Sequence, residues 1–202
     1  MKIAILVEGE TEDAFKPHLR EFLKARLATH KMPKLVMVRC DGRIPKGNEL
    51  KRRVEKLLKG KNSADAVIAL TDVYTGSDDF IDAADAKQKM KTWVDHHPDF
   101  YPHVAQHDFE AWLLPFWSDI QKLAGHNKKM PGQEPEKVNH NKPPANHLKE
   151  IFRLGKRRDY HKPRDANHIL KGKDLTISAN ACRELKAFLN TLLTLCGATP
   201  LP

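Results

Sequence analysis

The chain has 202 residues and a net charge of +9, with 40% hydrophobic and 30% charged residues. These values fit one domain with its own core and exclude a membrane protein, since no apolar run nears the roughly 18 residues that cross a bilayer. The N-terminus lacks the pattern of a secretory leader, and three cysteines without a CxxC spacing favour the cytoplasm over a disulfide framework or a zinc finger.

Apolar runs that predict strands alternate along the chain with segments of helical periodicity. We expect strands at 2–7, 35–39, 66–71 and 101–106, and helices at 12–29, 48–58, 80–94 and 108–123. A loop over 125–144 precedes helices at 145–154 and 178–195, which flank a basic loop at 155–173. The alternation predicts an α/β protein with a mostly parallel sheet of about four strands and flanking helices. Residues 1–124 would form the core, and residues 125–202 would pack on it as a helical extension.

Acidic residues follow three of the four predicted strands, namely Glu8, Asp72, Asp78, Asp79, Asp108 and Glu110. Because the carboxyl ends of parallel strands meet at one edge of a sheet, we expect several of these side chains to lie close together. Neighbouring carboxylates repel each other, and a divalent cation relieves that repulsion. Carboxylate oxygens are ligands that Mg²⁺ prefers, so the pattern predicts a Mg²⁺ or Mn²⁺ site.

Each of these acids also has a structural interpretation, which the sequence leaves open. Asp72 is suited to begin a turn, and Glu110 to an amphipathic helix. Asp78 and Asp79 are typical of turns or helix caps. Glu8 has the weakest structural explanation, because it directly follows a run of apolar residues at the end of a buried strand.

Positive charge is concentrated late in the chain. Residues 142–173 include ten lysines and arginines against three acidic residues. Such a cluster is either a solvated helical face or a surface that binds nucleic-acid phosphates. On the second interpretation, the phosphates would be bound by basic residues of this segment, with Arg157, Arg158, Lys162 and Arg164 as the candidates.

Four segments carry a resemblance to a known family: ILVEGETE, LTDVY, QHDFEAWLL and the tail PEKVN…PPANHLKEIF…YHKP. In this order they resemble a TOPRIM-like family of unknown function, the DUF family four-two-seven-six, which is related to OLD-type and RloB-like nuclease modules. The resemblance implies a Rossmann-like TOPRIM fold, in which Glu8 and Asp72 match two acidic metal-binding positions. Tyr74 stands where the pattern has a second aspartate, so Asp78, Asp79 or Glu110 would have to supply the missing ligand.

The resemblance also implies roles beyond the metal ligands. Glu8 would be catalytic, and Lys162 would stabilise charge that develops on a phosphoryl group. Glu110 matches a later acidic motif. His107, three residues before it, would share its helical face and, as a further catalytic candidate, orient a ligand, contact phosphate or bind metal.

Two functions follow from this interpretation. The first is a Mg²⁺-dependent nuclease acting on DNA or RNA, implied by the resemblance to work in phage defence beside an ABC-type ATPase encoded nearby. The second is a non-catalytic TOPRIM-like regulator that binds nucleic acid or the ATPase, which Tyr74 in place of aspartate favours.

Overall fold

Four parallel strands form the centre of the protein. The computed structural model describes residues 1–27, 30–40, 42–73, 79–139, 142–155 and 158–202, with the backbone alone at residues 10–13. The strands are β1 (Lys2–Val7), β2 (Lys34–Arg39), β3 (Ala66–Val73) and β4 (Phe100–Gln106), in the order β2-β1-β3-β4. All three pairings are parallel. The prediction of an α/β fold with a parallel sheet of about four strands is confirmed.

Helices connect successive strands and cover both faces of the sheet. They are α1 (Glu10–Leu27), α2 (Gly47–Leu58) and α3 (Ala83–Trp93). Side chains of β1 alternate between two cores: Ile3 and Ile5 pack with α1, while Leu6 packs with α2 and α3. Because both faces are buried, the strand sequences are apolar throughout, as parallel strands usually are.

The second half of the chain is helical. It comprises the 3₁₀ helix Phe109–Phe116, α4 (Trp117–Ala124), the 3₁₀ turn Pro135–Lys137, α5 (Pro144–Leu154), α6 (Lys162–Leu170), α7 (Leu175–Ala181) and α8 (Arg183–Leu195). Residues of these helices share one hydrophobic core with α1 and one face of β1. In the part of the chain described, no helix is both long and apolar enough to cross a bilayer.

Two predicted helices are divided in the structure. The helix expected at 108–123 begins as the 3₁₀ helix, and Pro115 in it cannot donate an α-helical hydrogen bond. The helix expected at 178–195 is interrupted at Cys182, which has an extended backbone. The backbone N–H of Glu184 at the start of α8 donates to Glu136 Oε1 at 3.0 Å, so a distant carboxylate caps this helix.

The prediction of a continuous basic loop at 155–173 is wrong, because α6 lies within it. Pro163 occupies the first turn, where its missing N–H costs nothing. Asp165 Oδ2 accepts the backbone N–H of His161 at 2.7 Å, which closes the start of the helix. Ala166 and Ile169 then bury the inner face of α6. The many basic residues of this segment obscured the apolar spacing of Ala166 and Ile169 in the sequence.

Candidate active site

The carboxyl ends of the strands meet at one edge of the sheet, where several candidate residues lie. Glu8 directly follows β1 and lies beside Thr71 of β3. β4 ends in register with Val73 of β3, so His107 and Asp108 follow at the same edge. The predicted convergence of strand ends is therefore present.

Two donors from β3 orient the Glu8 carboxylate. Glu8 Oε1 accepts a hydrogen bond from the Thr71 hydroxyl and another from the backbone N–H of Asp72, at 3.1 Å for the latter. These contacts fix the carboxylate against the end of the neighbouring strand. The geometry joins Glu8 and Asp72 directly, across 64 positions of sequence.

Both residues line a cavity of about 170 Å³. Asp79 lies on the same cavity, together with Arg43 and Lys46. Arg43 Nη1 is 3.0 Å from Asp79 Oδ2, and Lys46 forms a second ion pair with that carboxylate. Among the described residues, the cavity lining combines three carboxylates with two cationic side chains, which suits an anionic substrate held beside a metal ion.

The donor set at this edge fits Mg²⁺. Glu8 and Asp72 offer hard oxygen ligands in a cavity with room for water, and Mg²⁺ commonly takes one or two carboxylates, several waters and substrate phosphates. In the described part of the chain, no three His, Cys, Asp or Glu side chains form a group that could hold a metal ion, so water or substrate would have to complete the coordination. Asp78, predicted as a further ligand, lies outside the described residues, as does Tyr74.

Glu110 belongs to a neighbouring buried cluster rather than to the lining of this cavity. Its side chain is fully buried. Glu110 Oε1 accepts from the Tyr160 hydroxyl and Glu110 Oε2 from Lys162 Nζ, both at 3.3 Å. Asp108 is also buried, and its Oδ2 accepts the backbone N–H of Ala145 at 3.0 Å, which ties the start of α5 to this edge.

Lys162 links the two acidic groups electrostatically. Burial lowers the pKa of Lys162, but the carboxylates of Glu110, Asp108 and Asp72 outweigh burial and raise it above the ordinary value. Burial and the nearby Glu110 carboxylate raise the pKa of Asp108. The same two causes raise the pKa of Tyr160, so its hydroxyl stays protonated as a donor. Lys162 therefore remains an ammonium at neutral pH, within electrostatic reach of Asp72.

The structure corrects the expected placement of His107. This residue was predicted to share a helical face with Glu110, but the 3₁₀ helix begins after Asp108, and His107 has a left-handed φ of 70°. Its Nδ1 has no hydrogen-bond partner within the described ranges, and burial lowers the pKa of its ring. His107 is thus a buried, neutral imidazole at the strand end.

The basic candidates have partners within the chain. Arg158 forms two hydrogen bonds of 2.6 Å to the buried Asp165 and packs over the ring of Phe152. Arg164 Nε donates to Asp165 Oδ1 at 3.2 Å. These two arginines therefore anchor the start of α6, which presents Lys162. Arg157 lies outside the described residues.

Several residues of the site were missed or undervalued from the sequence. Thr71 and Tyr160 donate to the two key glutamates, and Arg43 and Lys46 pair with Asp79 across the cavity. Thr71 carried a usable signal, because it lies on a strand that ends beside Glu8. The other contacts join separate loops, and sequence spacing does not reveal them.

Comparisons with known proteins identify relatives of the chain. The family described as Domain of unknown function (DUF4276) matches residues 7–193. No curated protein matches. Among solved structures, the C-terminal region of the Burkholderia pseudomallei OLD protein is similar, with 16% identity over 93% of this chain and 98% of that chain and a TM-score of 0.49.

Proposed function

The chain belongs to the DUF4276 family, and we propose that it is a Mg²⁺- or Mn²⁺-dependent phosphodiesterase that cleaves nucleic acid. One observation carries the proposal: Glu8 and Asp72 share a cavity at the carboxyl edge of a parallel sheet. Ligand sites in open α/β sheets form at this edge. Carboxylates paired with nearby cations are suited to phosphoryl transfer.

Each side chain has a role in the proposed reaction. Glu8 and Asp72 would hold a divalent ion, which supplies Lewis-acid polarisation of the phosphodiester. Thr71 keeps the Glu8 carboxylate in position through its hydroxyl. Lys162, whose ammonium lies within the field of Asp72, stabilises the negative charge that grows on the phosphoryl oxygens.

The positive residues of the cavity would orient the substrate. Arg43 and Lys46 line the cavity and are ion-paired with Asp79, at side-chain exposures of 63% and 46%. An approaching phosphate can share these cations with Asp79. Holding the phosphodiester near the ion in this way supplies proximity, which lowers the barrier to reaction.

The proposal includes a TOPRIM-like relationship and its implied biology. A glutamate after β1 and an aspartate in β3 match the TOPRIM-like arrangement of acids. A role in phage defence beside an ABC-type ATPase, in the cytoplasm, rests on the family resemblance. Nucleic acid as substrate is supported by the net charge of +9.

A non-catalytic regulator is the second candidate. It is favoured by the absence, among the residues described, of a three-ligand cluster, and by the engagement of Asp79 with Arg43 and Lys46. Such a regulator would bind nucleic acid with strong salt dependence and would not cut it with any divalent ion.

Cleavage assays separate the two candidates. Purified protein is incubated with labelled DNA and RNA in Mg²⁺, Mn²⁺ or EDTA. We expect metal-dependent cleavage that falls at least about 100-fold in Glu8→Gln and in Asp72→Asn, because each substitution removes a charged ligand. Glu21→Gln is the matched control, since Glu21 is exposed on α1 and away from the cavity. Full cleavage by both site variants would refute this site.

A further inference from the structure

A second cavity lies near the amino end of β4, away from the carboxyl ends of the strands. It has a volume of about 530 Å³ and lies between the last turn of α3, the start of β4 and α8. Its lining residues include Lys87, Lys91, His96, His97, Tyr101, His103 and Thr191. A volume of this size is within the range of small-molecule sites. None of the described residues of the proposed active site lines it.

The lining carries positive charge and hydrogen-bond donors. Lys87 and Lys91 are close enough to His103 that their charges contribute to lowering its pKa, after burial. Glu184 forms an ion pair of 2.7 Å with Lys87, which offsets the charge of that lysine and leaves Lys91 as the stronger cationic contact for a ligand. Among the described residues that line the cavity there is no acidic side chain. The cavity is therefore suited to an anion.

The turn that leads into β4 fixes one of these donors. The backbone N–H of Asp99 donates to His97 Nδ1 at 3.2 Å. In the neutral ring, Nδ1 is then the acceptor, and Nε2 carries the hydrogen. His96, one position earlier, has a left-handed φ of 52°, and the preceding Asp95 has a φ of 50°. These two residues end α3, since the backbone N–H of His96 donates to the carbonyl oxygen of Lys91 at 2.8 Å, and the chain then turns toward β4 with His97 beside the cavity.

The remaining walls are apolar. Pro98, Phe100 and Pro102 line the cavity beside Tyr101. His103 is buried, and its Nε2 forms a hydrogen bond of 2.9 Å with Thr191 Oγ1. Prolines and aromatic rings pack well against a planar ring, whereas lysines and a histidine N–H bind phosphate.

We propose that this cavity is a second, non-catalytic site that binds a phosphate monoester carried on a small ring-bearing molecule, with a 5′-mononucleotide as the simplest example. The phosphate contacts Lys91 and His97, and the ring packs against the proline and aromatic wall. A phosphate monoester is favoured over a carboxylate because Lys91, His97 and the Glu184-paired Lys87 offer donors from several directions, which the three terminal oxygens of a phosphate can accept.

The site is independent of the proposed active site. β4 begins at this cavity with Phe100 and ends near the active site at Gln106. Its seven residues span about 20 Å at roughly 3.3 Å per residue. Loss of either function therefore leaves the other testable.

Calorimetric titration of the full chain with AMP tests the proposal. We expect saturable 1:1 binding that weakens about tenfold in Lys91→Gln and in His97→Asn, each of which removes a charged or polar contact with the phosphate. Asparagine keeps an acceptor for the Asp99 N–H, so the turn is preserved. Lys122→Gln, on the exposed face of α4, removes the same charge elsewhere and should bind as the unmodified protein does.

The other probes define what would overturn the proposal. Adenosine should not bind, and inorganic phosphate should bind more weakly than AMP. Absence of AMP binding, or equal weakening by Lys91→Gln and Lys122→Gln, would contradict the site. Equal affinity for inorganic phosphate and AMP would refute the ring-bearing ligand. Unfolding curves establish that each variant is folded before the titration is read.

Discussion

Among single residues, Lys162 connects the two acidic groups of the candidate site. Its ammonium donates a hydrogen bond to the fully buried Glu110. Burial alone would lower the pKa of Lys162, but the carboxylates of Glu110, Asp108 and Asp72 raise it, so the lysine stays charged. Glu110 lacks solvent to stabilise its own charge. The pair therefore places a positive charge beside the proposed metal site without exposing the carboxylate that supports it.

Replacing Lys162 should uncouple catalysis from folding. We expect Lys162→Gln to lower cleavage about 100-fold, because the charge that faces the phosphoryl group is lost. Stability should fall by only about 1–2 kcal/mol, since the lysine is 42% exposed and glutamine can still donate to Glu110. Single-turnover cleavage and urea unfolding measure the two effects. Lys162→Arg should recover part of the rate, and unchanged cleavage in Lys162→Gln would exclude a catalytic role.

Protonation of His103 in the unfolded chain should account for part of the stability that the protein loses at acidic pH. Burial, with Lys87 and Lys91 nearby, lowers its pKa to about 3, against 6.5 in an unstructured chain. Between these values the unfolded chain takes up a proton that the folded chain does not. The stability that His103 contributes is therefore complete above about pH 6.5 and is lost as the pH falls toward 3.

His103→Gln tests this sign. Between pH 7.5 and pH 5, the unmodified protein should lose about 2 kcal/mol more unfolding free energy than His103→Gln, because the variant has no imidazole to protonate. Glutamine can retain a hydrogen bond to Thr191. Urea unfolding at the two pH values gives the difference, and equal losses in both proteins would show that His103 is not buried in its neutral form.

At the level of secondary structure, the sequence predicted the sheet better than the helices beyond it. The strands are short apolar runs buried on both faces, a local pattern that needs no tertiary information. The start of α8 depends on the carboxylate of Glu136, 48 positions earlier in the chain, which composition and periodicity cannot reveal. Asp165 closes the start of α6 from within the same helix, four residues after His161, and the basic residues of this segment obscured that local signal.

The candidate site likewise contains some contacts that the sequence predicts and others that it does not. Glu8 and Asp72 could be predicted because each stands at the end of a parallel strand, where topology alone brings the two together. The pairing of Asp79 with Arg43, and of Glu110 with Tyr160, depends on how loops and distant helices pack. These contacts needed the three-dimensional structure.

Asp165 provides a test of how α6 is held. It is fully buried and accepts hydrogen bonds from Arg158, Arg164 and the His161 backbone. We expect Asp165→Ala to cost about 1–3 kcal/mol, since several donors lose their partner and Arg158 is already a third exposed. Asp159→Ala is the matched control: its pair with Arg153 is exposed, and the cost should stay below about 0.5 kcal/mol.

Chemical unfolding of the two variants measures these costs. Cleavage should also fall in Asp165→Ala, because Lys162 begins the helix that Asp165 anchors. Equal stability losses in the two variants would mean that Asp165 does not anchor α6.

At the scale of the whole protein, basic side chains are grouped on one surface in a way that suits a polyanionic partner. Lys142, Asn146, Lys149 and Arg153 line a groove of about 540 Å³ along α5. Glu150 lies in the same groove, and its charge is offset by Lys128 at 2.7 Å. The groove therefore offers a net positive surface beside the acidic edge, which α5 adjoins through Asp108 and Ala145.

Salt dependence of nucleic-acid affinity tests the use of this groove. A double variant, Lys149→Gln with Arg153→Gln, should reduce the slope of log K against log salt by about 2, because two phosphate contacts are lost. Arg52→Gln with Lys56→Gln, two exposed residues of α2, is the control and should leave the slope unchanged. Fluorescence anisotropy from 50 to 200 mM salt gives the slopes. Equal slopes in both double variants would exclude the groove as the contact surface.

The proposed function requires a divalent ion at the carboxyl ends of β1 and β3. Crystals soaked in Mn²⁺ and measured for anomalous scattering test this directly. We expect a peak about 2.0–2.3 Å from carboxylate oxygens of both Glu8 and Asp72, beside the Thr71 hydroxyl. A map with no peak at this edge, or with Mn²⁺ bound elsewhere in the molecule, would contradict the proposed metal site and the cleavage mechanism built on it.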